Sequence, residues 1–147
     1  MQILTHIAKQ VALLDNQPVH FLRGHFSLEQ GTGYWTPAID PDGKYPMILA
    51  DVLRLRVSDD FRLATYSLSL MYAEPHLENL TDVPEIQTRA AQSLQQLLAN
   101  LCAAEDIILN ENPELVFFMH SGPNRLAGAN ALVSLNLPND IPLCSCP

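Results

Sequence analysis

Two stretches of the chain carry apolar residues at helical spacing. Near the N-terminus, Ile3, Ile7, Val11 and Leu14 recur every three or four positions, Leu4 widens this stripe, and polar residues such as Lys9 and Gln10 fall off it. This amphipathic pattern predicts a first helix over residues 2–15.

A longer amphipathic stretch predicts a second helix over residues 83–103. Asp82 lies directly before this stretch, and Glu85 lies in its first turn, three residues after Asp82. This is the spacing of a capping box, in which the side chains of the two residues accept hydrogen bonds from each other's backbone N–H groups. The predicted apolar stripe consists of Ile86, Ala90, Leu94, Leu97 and Leu101.

Residues 45–57 and 61–72 predict two strands joined by a short polar turn, which is the pattern of an antiparallel hairpin. The first half of residues 45–57 is apolar at every position, so it should be buried on both faces. The second half alternates, with Leu53, Leu55 and Val57 on one face and Arg54 and Arg56 on the other.

Three further segments have strand character: residues 19–28, 115–120 and 128–137. The predicted order of elements is therefore α-β-β-β-α-β-β. This order predicts an α+β fold, an antiparallel sheet of four to five strands with both helices packed on one face. Residues 1–147 are expected to form a single domain, with a long loop at 29–44 and an irregular C-terminal tail at 138–147.

The charge balance limits the partners of the chain. It contains 16 acidic and 8 basic residues, for a net charge of −8. Sequence-specific nucleic-acid binding is not expected, because phosphate contacts require clustered Lys and Arg. No apolar run is long enough to span a bilayer, and the N-terminal residues do not resemble a secretory signal, so we expect no membrane association and synthesis in the cytoplasm.

Several residues with reactive side chains occur without the rest of a known motif. His20 and His25 would lie on opposite faces of a regular strand, and Cys144 and Cys146 are too few for a zinc site. The sequence around His120 and the following serine lacks the two glycines of a nucleophile elbow. We therefore predict no catalytic residue, no metal and no cofactor.

Three features are candidates for contacts with other proteins. Tyr34 and Trp35 lie in the long loop, and such loops commonly carry binding surfaces, although Trp35 folded back on the core is an equal alternative. Arg54 and Arg56 on one strand face are candidates for pairing with acidic groups of a neighbour, with a solvated sheet face as the alternative. A further acidic pair at the hairpin tip, Asp59 and Asp60, is expected to be solvated.

Four segments resemble the tail-terminator and tail-completion (neck) proteins of tailed bacteriophages, in particular those of phages and prophages of bacteroidete hosts. The segments are FLRGHFSLEQG, KYPMILADVL, SLMYAEP and LAGANALVSLNLPNDIPLC. The order of elements resembles that of the same proteins, so the resemblance extends over most of the chain. The loop before Lys44 has no counterpart in this resemblance.

The resemblance implies a structural virion protein without catalytic residues, which forms a homo-oligomeric ring, expected as a hexamer, at the head–tail junction or tail end. Its partners would be tail-tube and head-connector proteins, and it would be found in the virion and, during assembly, in the host cytoplasm. DNA would pass through the lumen, where Asp59 and Asp60 are candidate lumen-facing residues that repel phosphates. Tyr34, Trp35, Arg54 and Arg56 would be the candidate subunit interface.

Two other classes of function stay open. One is a small soluble protein-binding adaptor or immunity-type module, acting as a monomer or dimer. The more distant alternative is an enzyme that uses His20, His25 or His120. Particle size in solution separates the ring from the adaptor, and metal analysis addresses the enzyme.

Overall fold

The computed structural model describes residues 2–14, 20–23, 45–104, 106–120, 125–139 and 141. Within these ranges the chain forms two helices and six strands, in an α+β fold. In chain order the elements are α1 (Gln2–Ala12), β1 (His20–Arg23), β2 (Met47–Val57), β3 (Leu63–Pro75), α2 (Val83–Ala104), β4 (Ile108–Leu109), β5 (Glu114–Met119) and β6 (Leu126–Pro138).

The strands form one mixed sheet in the order β1-β2-β3-β6, and both β4 and β5 pair with the far side of β6. All pairs are antiparallel except β1 with β2, which is parallel and runs from His20 opposite Met47 to Arg23 opposite Ala50. The prediction of a fully antiparallel sheet is therefore wrong at this edge. A parallel pair needs a crossover connection of a dozen or more residues, and the length of residues 24–46 permits one.

Both helices contribute to one core on a single face of the sheet. Ile3, Ile7 and Val11 of α1 are buried there. The predicted stripe of α2 is confirmed, because all its members are buried: Ile86, Ala90, Leu94, Leu97 and Leu101. The helices end within a few residues of their predicted boundaries.

The central strands follow the predicted alternation. On β3 and β6 the helix-facing side chains are buried, and both large tyrosines of this set, Tyr66 and Tyr72, are fully enclosed. The first half of β2 is buried on both faces, as predicted. Ile48 and Ala50 join the helix-facing core, whereas Met47 and Leu49 join a second apolar cluster on the opposite, outer face.

A bulge corrects the prediction for the second half of β2. The pairing of β2 with β3 shifts between Val52 and Arg54, so the extra residue, Leu53, leaves the alternation and is 60% exposed. After the bulge, Leu55 lies opposite Tyr66 on the helix face, and Arg54 and Arg56 lie on the outer face.

Other differences concern the ends of elements. Phe61, predicted to start the third strand, adopts a positive φ of 61° in the turn, and the strand begins at Leu63. The short β4 was not predicted, and Pro138 belongs to β6 rather than to the tail. The carboxylate of Asp82 accepts hydrogen bonds from the backbone N–H of Leu77, at 3.0 and 3.3 Å, so it fastens the preceding loop to the start of α2.

Candidate assembly surfaces

The outer face of the sheet is polar beyond the second apolar cluster. Arg56, Thr65 and Asn136 lie side by side on β2, β3 and β6. Thr65 donates a hydrogen bond to Asn136 Oδ1 at 2.6 Å, and the Asn136 amide donates to Asn110 Oδ1 at 3.2 Å. Because the Thr65, Asn136 and Asn110 side chains bond to one another across the strands, they form a polar strip. At its β2 end, the side chains of Arg54 and Arg56 are exposed.

The hairpin between β2 and β3 ends in an ordered acidic tip. The Ser58 hydroxyl donates to Asp60 Oδ1 at 2.7 Å, and the backbone N–H of Arg62 donates to the same oxygen at 3.2 Å. These two hydrogen bonds lower the pKa of Asp60 below its ordinary value, because both donors stabilise the charged carboxylate. Asp59 and Asp60 are both exposed, as predicted for a solvated tip.

On each side of the sheet, part of a longer strand lacks a partner among the described residues, in addition to the outer sides of the short strands β1 and β4. β1 pairs only with residues 47–50 of β2, so residues 54–57 form one open edge. On the opposite side of the sheet, β5 pairs with β6 alone and presents the second open edge. Because an open edge carries hydrogen-bonding backbone groups, it is a template for a further strand.

The open edge of β5 is also apolar. Val116, Phe117 and Met119 are all substantially exposed, Phe117 to 51%, and Leu132 lies exposed beside them on β6. Val116 lies on the outer face and Phe117 on the helix face, so apolar surface flanks the edge on both sides. An exposed apolar edge strand is a site of strand-to-strand association unless another chain covers it.

A charged cluster away from these edges fastens α2 to the sheet. Arg89 donates two hydrogen bonds to the carboxylate of Glu74, from Nε at 2.9 Å and from Nη2 at 3.1 Å, and Tyr72 donates a third at 2.6 Å. The hydrogen bonds to Glu74 raise the pKa of Arg89, which outweighs the opposing effect of partial burial. The cluster is therefore a structural link between β3 and α2.

We expect Glu74→Ala to lower the free energy of unfolding by about 1–3 kcal/mol, because it leaves Arg89 and Tyr72 without their shared acceptor in a partly buried site. The matched control is Glu78→Ala. Glu78 pairs with Arg125 where both side chains are exposed, so its loss should cost about 0–1 kcal/mol. Urea unfolding of both variants measures the difference, and equal losses would contradict the structural role of Glu74.

Two histidines meet where β3 and β5 end. The ring nitrogens of buried His76 lie 2.8 Å from the carbonyl oxygen of Leu77 and 2.5 Å from that of His120. Burial lowers the pKa of His120, and its electrostatic interaction with the neighbouring His76 lowers it further. His120 is thus a neutral packing group near pH 7, beside the ring of Phe118 at a centroid distance of 5.5 Å.

The predicted site residues are only partly within the described part of the chain. Arg54, Arg56, Asp59 and Asp60 are there and exposed, although the arginines lie on the sheet face and the aspartates at the tip. His20 lies in β1. Outside the described residues lie Tyr34, Trp35, His25, Cys144 and Cys146. The apolar edge of β5 was missed, and the only signal for it was the unbroken apolar run from Leu115 to Met119.

Within the described ranges, no group of three or more His, Cys, Asp or Glu side chains is arranged to hold a metal ion. No helix in that part of the chain is both long enough and apolar enough to cross a membrane. An open depression of about 350 Å³ lies at the start of α2, lined by Pro84, Glu85, Thr88 and Arg89. Arg89 is already engaged by Glu74 there.

The described residues form an α+β fold with both helices on one sheet face and with dissimilar open edges at β2 and β5. No protein-family model matches the chain, and no curated protein matches it either.

Proposed function

We propose that this protein is a structural virion component that assembles into a ring at the head–tail junction or tail end of a tailed bacteriophage. The resemblance of four sequence segments to tail-terminator and tail-completion proteins supports the class of particle. The structural observation that supports a ring is the presence of two dissimilar open edges, residues 54–57 of β2 and the edge of β5, on opposite sides of one sheet.

A closed ring is built from a heterologous interface, in which two different patches of neighbouring copies meet head to tail. The basic edge at Arg54 and Arg56 and the apolar edge of β5 are two such patches, and they face in opposite directions within the sheet plane. A hexamer is the proposed stoichiometry because it is the one that the resemblance implies. The exposed carboxylates of Asp59 and Asp60 at the hairpin tip would then repel the phosphates of DNA that passes through the ring and so reduce its binding to the lumen.

The native assembly tests this proposal directly. The purified chain should elute with the mass of a closed ring, and electron microscopy of that fraction should show particles with a central channel. Antibody labelling of phage particles should place the protein at the neck or tail end. A chain that is monomeric at every concentration and absent from particles would contradict the proposal.

A second candidate is a small soluble adaptor that binds one partner protein. The exposed apolar edge of β5 favours it, because a foreign extended segment can add to an open sheet edge in the same way as a second copy. Stable association of a monomer with one host or phage protein, without self-assembly, would favour the adaptor over the ring.

A further inference from the structure

The two open edges carry opposite charges. Glu114 opens β5, and Glu111 precedes it, whereas Arg54 and Arg56 project from the open part of β2. All four side chains are exposed. An edge-to-edge contact between two copies would therefore bring acidic groups of one toward basic groups of the other, and such complementarity favours a second copy as the occupant.

The directions of the strands set how the two edges can pair. β2, β3, β6 and β5 follow one another across the sheet, each antiparallel to the next. β5 therefore runs opposite to β2. If neighbouring copies are related by a rotation about an axis parallel to the strands, the strand directions are the same in every copy. The β5 strand of one copy would then meet β2 of the next in antiparallel orientation.

Backbone hydrogen bonds determine which groups of β2 point outward. In an antiparallel pair, alternate residues direct both backbone groups at the partner strand, and the residues between them direct both away. Ser58 N–H donates to the Leu63 carbonyl at 3.0 Å, and the pairing from Arg54 to Val57 is regular. Leu55 and Val57 therefore point their N–H and C=O groups away from β3, toward the open edge.

The same alternation applies to β5. His120 N–H donates to the Leu126 carbonyl at 2.8 Å, and the register with β6 is regular from Glu114 to Met119. Leu115 and Phe117 therefore direct their backbone groups away from β6. Both edges thus offer outward-facing donors and acceptors at every second residue.

We propose that β5 of one copy pairs with residues 54–57 of β2 in the next, so that neighbouring subunits share a continuous sheet. In the pairing that matches both backbone and charge, Leu115 lies opposite Leu55, Glu114 opposite Arg56 and Val116 opposite Arg54. Each pair then has both members on the same face of the sheet. This pairing rests on the ring proposed above and specifies its interface.

Charge reversal tests the pairing in the intact chain. Arg56→Glu and Glu114→Arg should each weaken assembly about tenfold or more, because each places like charges opposite one another. The double variant Arg56→Glu/Glu114→Arg should recover to within about threefold of the native protein, since the pair is restored with reversed sign. Sedimentation velocity over a concentration series measures the association.

The matched control is Arg62→Glu, which makes the same charge change on the same hairpin. Arg62 is 86% exposed, and its 3.9 Å ion pair with Asp60 is exposed on both sides, so its loss should matter little. It should assemble as the native protein does. Rings that persist unchanged in both single variants would overturn the strand pairing and leave the ring itself standing. Weakened assembly in only one of the two single variants, Arg56→Glu or Glu114→Arg, would also overturn the pairing.

Hydrogen exchange provides a measurement that requires no variant. Assembly should slow exchange of the backbone amides of Leu55 and Leu115, which point outward from a single copy. Unchanged exchange at both in an assembled ring would overturn the pairing. A native chain that never assembles would overturn both this pairing and the proposed ring.

Discussion

Leu94→Ala should lower the free energy of unfolding by about 2–5 kcal/mol. Leu94 lies in the middle of α2 and is fully buried in the core between the helices and the sheet. The substitution removes apolar contacts and leaves a cavity, and a close-packed interior closes such cavities only in part. Urea unfolding at constant pH measures the loss.

Gln95→Ala is the control on the adjacent position of the same helix. Gln95 is exposed, so its truncation should change stability by no more than about 0.5 kcal/mol in either direction. A Leu94→Ala variant as stable as this control would contradict the orientation of α2.

The elements best predicted from the sequence are those whose pattern reflects a single buried face. The apolar stripe of α2 and the alternation of β6 both result from the burial of one face. Each pattern can be recognised within its own segment, without knowledge of which other elements the segment packs against. The doubly buried half of β2 was also predictable, because its unbroken apolar run, from Met47 to Ala50, leaves no face for solvent.

Strand partners were not predictable in the same way. The parallel pairing of β1 with β2 depends on how the chain returns between them, and a period of two residues is the same in parallel and antiparallel strands. The bulge at Leu53 inserts one residue into an otherwise regular alternation, and no glycine or proline marks it. Both features are set by tertiary pairing.

The candidate surfaces show the same division. The exposure of Arg54, Arg56 and the hairpin tip could be predicted, because charged side chains rarely enter a core without partners. The open edge of β5 could not be predicted, because an apolar run indicates a strand but not whether a neighbour covers it. Phe117 was expected in a strand, and its 51% exposure became evident only with the topology of the sheet.

Gly128→Ala should destabilise the protein by about 3 kcal/mol or more, because the added methyl group has no space. A Cβ at Gly128 would lie 1.9 Å from the carbonyl oxygen of Tyr72, a backbone atom of the neighbouring strand, and 3.2 Å from the ring of Phe118. Relief of the first clash requires β3 and β6 to separate at the centre of the sheet, where a rotamer change cannot help. A strand glycine at such a close backbone approach cannot be replaced cheaply.

Ser134→Thr is the control for Gly128→Ala, because it adds one methyl group on the same face of β6, at a half-buried position, and retains the hydroxyl that accepts a hydrogen bond from Asn110. It should change stability by no more than about 0.5 kcal/mol. Thermal unfolding of both variants, followed by circular dichroism, measures the contrast. If Gly128→Ala unfolds at the native temperature, the close approach of β6 to Tyr72 is wrong, because a methyl group cannot share the space of a carbonyl oxygen.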